Sequence, residues 1–355
     1  MLKKYPTTRY ILRSGGWYFL TFLVAISVNF VLPRLGKANP VDIIIAKHGA
    51  GKTQHAIQVK EEGYLKEFGL VKLDPDGAIV RDADGKPVRS SLWSQYVSYL
   101  GMCLRGDLGT SFMNYPKKVS EIVIEAVAWD FALQLPAIIL GWLLGNILGA
   151  LAAYKRGVFD YLFFPLSLLV CSIPFFAFGM LLKYQFGIVW PIFPTTGGYA
   201  SNIHYSFSWE FFSNASYYYF LPFMSIFPVL LGGYAIGMRS MGIYELGTDY
   251  IRYASYLGIK ENRIISYVFR NAMLPQLTGV ALNLGNMIGG ALIAEIIFSY
   301  PGLGTTILKA IQGQDYTLIQ GTALLVAIMI IAANFTVDIV IAIFDPRVKA
   351  GMAGA

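Results

Sequence analysis

Charge is scarce in this chain. Asp, Glu, Lys and Arg make up 14% of its 355 residues, against about 25% in ordinary soluble domains, while hydrophobic residues make up 55%. Cysteine and histidine are scarcer still, at two and three residues. Cys103 and Cys171 are too few and too far apart in sequence for a disulfide framework or a zinc site. His48 and His55 have no third ligand near them and read as surface histidines rather than a metal pair. A phosphate-binding loop is lacking too, because Gly51-Lys52-Thr53 follows Ala46 where that motif needs its first glycine. Any nucleotide chemistry must therefore come from another chain. The mean hydropathy of +0.54 excludes a soluble enzyme and leaves a polytopic membrane protein.

Apolar segments are plentiful. A hydrocarbon core about 30 Å thick takes about 20 residues of helix. Six candidate spans are read on that criterion: Trp17 to Leu32, Ala126 to Ala153, Tyr161 to Leu182, Leu221 to Met238, Leu274 to Ile297 and Thr322 to Phe344. The formal charge of +7 sits beside these spans, so it speaks for orientation rather than for nucleic acid. Lys3, Lys4, Arg9 and Arg13 share one side with Lys155, Arg156, Arg239, Arg252, Lys260, Arg263, Arg270, Arg347 and Lys349. The short loops opposite carry only Lys183 and Lys309. Both termini are expected in the cytoplasm. Pro33-Arg34-Leu35 does not fit a signal-peptide cleavage site, so the first span is expected to stay as a helix.

Residues 36–125 then form an extracytoplasmic region. Gln54 to Leu70 has the spacing of an amphipathic helix, and Leu92 to Leu104 has helical spacing again. Between them, Asp76-Gly77 and Asp84-Gly85 are turn dipeptides, which predicts a short hairpin or flap over Leu73 to Ser90. A second external loop, Lys183 to Phe220, is dense in aromatic residues. Such a loop forms an interfacial belt or stacks on a passing ligand.

Inside the spans, Gly141, Gly145 and Gly149 fall on one helical face, and Gly233–Gly237 and Gly285–Gly289 repeat the interval. Small residues at this spacing let helices approach where lipid gives no hydrophobic incentive to associate. Asp130, Gln134, Asn146, Asn283, Asn286, Glu295, Asn334 and Asp338 fall within or near apolar stretches. Polar residues there face a partner or a wet cavity. Asp130 and Glu295, near span ends, are expected to reach headgroups or water. Asn283 and Asn286 share a face suited either to lining a path or to hydrogen bonding between helices.

The loop over residues 239–273 is the richest segment. Thr248 or Asp249 caps a predicted short helix whose face shows Tyr250, Tyr253, Ala254 and Leu257, and Gly258 ends it. Such a helix suits a groove on another protein or a lipid surface.

Arg252-Tyr-Ala-Ser-Tyr-Leu-Gly258 and Arg270-Asn-Ala-Met-Leu-Pro275 resemble the cytoplasmic loop of permease subunits in binding-protein-dependent ABC importers. Four further blocks are similar to the oligopeptide/dipeptide permease B-type subunit: Leu104 to Phe112, Glu295 to Gly304, Asp315-Tyr316 and Asp345-Pro-Arg347. The resemblance implies an all-α polytopic membrane protein of the type I ABC importer permease fold, with six transmembrane helices. It implies a second homologous permease sharing the substrate path, two cytosolic ATPases that hold the ATP and magnesium, and an extracytoplasmic binding protein. No cofactor is expected in this chain, nor any catalytic or metal-ligating residue. The expected organisation is 1–35 for the N-terminus and first span, 36–125 for an extracytoplasmic α+β region with an insertion at 73–90, and 126–355 for the core. ATPase coupling is expected of Tyr250, Arg252, Tyr253, Ala254, Leu257, Gly258 and Ile259, with Asn146, Asn283 and Asn286 on the substrate path. Where the family has Glu-Ala or Arg-Thr this chain has Arg252-Tyr253. Peptide, nickel and oligosaccharide importers share this type of permease. An ion-coupled secondary transporter would need inverted repeats, and an intramembrane enzyme would need a nucleophile and base within the spans. Neither pattern is present in the sequence.

Overall fold

The structure is a computed structural model describing residues 6–31, 61–63, 65–66, 71–74, 76–83, 85–111, 113–114, 116–155 and 157–344, with the side chains of 6–12, 274, 285–286, 288–290, 337 and 340–344 outside the description. His48, His55, Gly51 to Thr53, most of Gln54 to Leu70, and Asp345 to Arg347 lie outside the described residues. The chain divides into two packed units. One comprises residues 16–125 and 306–328, the other residues 1–15, 126–305 and 329–355.

In the first unit, the later part of α1 (Pro6–Val31) is joined to α2 (Leu92–Leu104). Ser91 caps α2 by accepting from the Ser94 N–H. Ser27 Oγ and Tyr96 OH lie 2.7 Å apart, and Asn29 Nδ2 donates to Tyr99 OH at 3.1 Å. Between the two helices, the stretches 71–74, 78–82 and 86–89 pair through the bridges Val71–Arg89, Leu73–Ile79 and Arg81–Pro87. The two turns are copies of one another. Asp74 Oδ1 accepts from Ala78 N and Asp82 Oδ1 accepts from Lys86 N, both at 2.8 Å, so each Asp side chain closes the turn that follows it. The predicted hairpin is thus a three-stretch meander with single bridges.

The blocks from Leu104 to Phe112 and at Asp315-Tyr316 meet in this unit. Asp315 is fully buried and caps α11 (Tyr316–Phe344) by accepting from Leu318 N at 3.0 Å. Its other oxygen accepts from Ser111 Oγ at 2.6 Å and Met113 N at 3.0 Å. These donors satisfy a buried carboxylate that would otherwise be costly.

The second unit is built around two long helices, α3 (Val119–Lys155) and α6 (Trp209–Leu246), each nearly twice the length needed to cross hydrocarbon. Between them in sequence lie α4 (Val158–Ser172), α5 (Phe175–Lys183) and a π-helical turn, Tyr184–Val189. Pro174 breaks α4 from α5, and the pair bends by 94°. After α6 come α7 (Asp249–Tyr256), α8 (Glu261–Gly290), α9 (Leu292–Phe298) and α10 (Leu303–Gly313). Among the described residues, four helices are long and apolar enough to cross a membrane, or five if the bent pair is one span. The chain is a multi-pass membrane protein. The expected span at Leu274 to Ile297 is helical but interrupted at Ala291.

The α3 glycines sit directly on α6. A Cβ on Gly145 would lie 2.7 Å from Leu231 O, and one on Gly149 would overlap Ala235 O. Backbone lies on backbone here. In α6 the close contact to α4 is made by Gly232, 2.9 Å from Ser167 O by the same construction, while Gly233 faces open space. The surroundings of Gly285 and Gly289 lie outside the described residues. Arg239 Nη2 pairs with Asp160 Oδ2 at 2.6 Å, with its guanidinium 4.1 Å from the Phe164 ring centroid, tying α6 to the start of α4. Both cysteines are free thiols.

Candidate functional site

The short helix α7 is defined by its ends. Thr248 sits at the N-cap with extended backbone, but its hydroxyl turns back to Glu245 O at 2.5 Å instead of capping forward. At the other end, Gly258 adopts φ +68°. Its N–H bonds Ser255 O at 3.0 Å and the Ile259 N–H bonds Ala254 O at 3.1 Å, which is a Schellman closure. The accompanying apolar contact is also present, since Ile259 packs on the cluster that contains Ala254. Glycine takes this left-handed conformation at little cost, so Gly258 reverses the chain in one residue.

Two faces result. Ile251 and Ala254 turn inward onto Ile264 and Val268 of α8, with Leu246 and Ile259 at the edges. Tyr253, Tyr256 and Leu257 turn outward at 68%, 83% and 79% exposure. The face expected from sequence is therefore divided, because Ala254 belongs to the packed side, as does Ile259 of the expected coupling set. Tyr256 joins the outward face. Its signal was available in the three-residue spacing from Tyr253. Arg252 is exposed and lies 3.6 Å from Asp249, a contact of small energetic weight.

Tyr250 has a different role from its neighbours. Its hydroxyl donates to Glu245 Oε2 at 2.5 Å and accepts from Asn271 Nδ2 at 2.7 Å. Partial burial and the Glu245 carboxylate both raise the Tyr250 phenol above its ordinary value, so it remains a donor.

A second polar constellation lies between α3 and the α9–α10 corner. Asp130 and Glu295 are 1% and 0% exposed, which corrects the expectation that they reach headgroups or water. Leu303 N donates to Asp130 Oδ1 at 3.3 Å, and Gly304 N donates to Glu295 Oε2 at 2.7 Å. These donors are the free N–H groups at the start of α10, which offer hydrogen bonds and a favourable dipole to acidic oxygens. Gly302 lies between the carboxyls, where a Cβ would collide with both. Asp130 Oδ2 and Glu295 Oε1 have no hydrogen-bond partner among the described residues. Tyr300, 1% exposed, packs edge-on to Trp129 with ring centroids 5.5 Å apart. The block Glu295 to Gly304 thus builds a sealed corner. Sequence spacing gave no sign of its partner on α3.

Two of the three expected path amides, Asn146 and Asn283, have separate surroundings. Asn146 is buried and donates to Trp142 O of its own helix at 2.7 Å. Asn283 donates to Tyr234 OH at 2.7 Å, joining α8 to α6. The Asn286 side chain lies outside the described residues. Among the described residues, no three His, Cys, Asp or Glu side chains are grouped to hold a metal ion.

Residues 145–350 match the family model described as binding-protein-dependent transport system inner membrane component. The chain is similar to the dipeptide transport system permease protein DppB of Escherichia coli K12, with 31% identity over 96% of this chain and 98% of the relative. It is similar to the di/tripeptide transport system permease protein DppB of Pseudomonas aeruginosa, at 29% identity over 96% and 98%. The dipeptide transport system permease protein DppB of Lactococcus lactis is 27% identical over 96% and 99%.

Proposed function

The chain belongs to the family of binding-protein-dependent transport system inner membrane components, and from that premise we infer that it is the permease subunit of an ATP-driven ABC importer for dipeptides or similar small peptides. Similarity to dipeptide permeases along nearly the whole chain carries this reading.

Beyond the family, the working assembly pairs this chain with a second homologous permease to enclose the path. Two ATPase subunits, which bind ATP and magnesium, dock on the cytoplasmic side, and an extracytoplasmic binding protein delivers the peptide. This subunit itself catalyses no reaction. It has six spans, with α8 and α9 together forming the fifth, and it lies in the cytoplasmic membrane with both termini inside. The outward residues Tyr253, Tyr256 and Leu257 enter a groove on one ATPase, which suits a short helix with an exposed aromatic and apolar face. Closure of the ATPase pair pushes on α7. The helices α3, α4 and α6, locked by glycine contacts, then move as a body between outward- and inward-open arrangements.

The test is reconstitution into proteoliposomes. Uptake of labelled di- and tripeptides should require both ATPases, the second permease and loaded binding protein. Uptake by this chain alone, driven by an ion gradient, would overturn the reading.

A further inference from the structure

We propose that the Tyr250 hydroxyl is the positioning joint of the coupling helix, fixing its angle to the two transmembrane helices that flank it through paired hydrogen bonds to Glu245 and Asn271. The proposal rests on the docking reading of α7 and deepens it. α7 is attached to its neighbours in two ways. Its inner face, Ile251 and Ala254, packs on α8 through aliphatic contacts, which are non-directional and permit sliding. Tyr250 supplies direction. Its phenol donates to Glu245 Oε2 in the last turn of α6 at 2.5 Å and accepts from Asn271 Nδ2 of α8 at 2.7 Å.

Both bonds use the one hydroxyl. Its hydrogen goes to the carboxylate because a carboxylate only accepts, and its lone pair then meets the amide N–H. The bond to Glu245 is charge-assisted and therefore among the stronger kinds available at a protein surface. A rotation of α7 about its axis breaks one of the two bonds, so a push on the outward face is passed to α6 and α8 together. The covalent connections cannot do this alone. Gly247 and Thr248 lie on one side of α7 and Leu257 to Lys260 on the other, and the backbone bonds that close these turns each reach a single helix, whereas Tyr250 reaches two. Tyr250 thus holds the helix instead of entering the ATPase groove.

The test uses the assembled transporter in proteoliposomes, with binding protein loaded from a mixture of labelled di- and tripeptides. The readout is peptide moved per ATP hydrolysed. Tyr250→Phe keeps the ring and removes the oxygen, and should lower this ratio about tenfold, the worth of a charge-assisted hydrogen bond. Asn271→Ala should lower it less, and the double variant should be no worse than Tyr250→Phe alone. Glu245→Gln keeps an acceptor oxygen without the charge and should lower the ratio less than Tyr250→Phe does. A merely structural role would lower the melting temperature of the assembly and leave the ratio unchanged. In parallel, Leu257→Cys is cross-linked to cysteines placed in the ATPase groove. Efficient cross-linking together with an unchanged ratio in Tyr250→Phe overturns the joint and leaves docking intact. Failure of Leu257→Cys to cross-link overturns docking itself, and the joint with it.

Discussion

The middle of α6 and its C-terminal end are held by opposite means. In the middle, Leu231 and Ala235 lie against Gly145 and Gly149 with backbone nearly touching backbone, and Gly232 does the same against Ser167 of α4. At the end, α7 is attached through the apolar cluster of Ile251, Ala254, Ile264 and Val268, edged by Leu246 and Ile259, and through the tip of one tyrosine, with Tyr253, Tyr256 and Leu257 left in the open. A close-packed seam has no intermediate positions, because interiors transmit strain instead of absorbing it. α7 is held on its inner face and at one side-chain tip, and its outward face is unpacked. In the proposed importer, the close-packed seam is the part that moves as a body and α7 the part that is pushed.

Several substitutions test that division. The largest effect is expected from Gly149→Leu, whose side chain would have to occupy the space of Ala235 O. Forced separation of α3 and α6 should cost about 3 kcal/mol or more, read as loss of a monodisperse chain on gel filtration. A well-behaved variant would break the comparison, because the seam would then be compliant. Next comes Gly302→Ala in the sealed corner, where the added methyl would strike both Asp130 and Glu295. It should destabilise the assembly by about 2 kcal/mol in thermal unfolding. The smallest change in stability belongs to Leu257→Asp on the open face, expected to stay within about 0.5 kcal/mol of the parent. Its effect should appear instead in function, as ATP hydrolysis without peptide uptake. A stable variant that retains full uptake would remove α7 from the coupling route.

Much of α7 was legible in the sequence. Gly258 after an amphipathic run reads as a helix end, and the structure closes α7 there with two backbone bonds. The face was harder. Tyr250, Tyr253, Ala254 and Leu257 have helical spacing, yet Ala254 packs inward, because a stripe that wide includes residues on both edges of a short helix. The α3 glycines were legible since a spacing of four places them on one face. On α6 the pattern pointed to Gly233 and Gly237; Gly237 lies against Gln276 of α8, but Gly233 faces open space and Gly232 makes the contact with α4. The crossing of two helices depends on their angle and axial offset, neither of which is written in one helix. The pairing of Asp130 with Glu295 was not legible at all. The two stand 165 positions apart and belong to different helices, and each looked like a residue at the end of a span.

Sequence alone settled the solvent in which this protein folds and the family of machine it serves. Apolar run lengths and charge placement follow from the cost of burying charge in hydrocarbon, and that cost acts on each segment separately. Tertiary structure decided which polar groups meet. It brought Asp130 to Glu295 at the start of α10, Ser111 to Asp315, and Tyr250 to Glu245 and Asn271. Hydrogen bonds act over about 3 Å, so their partners are set only once the helices have packed.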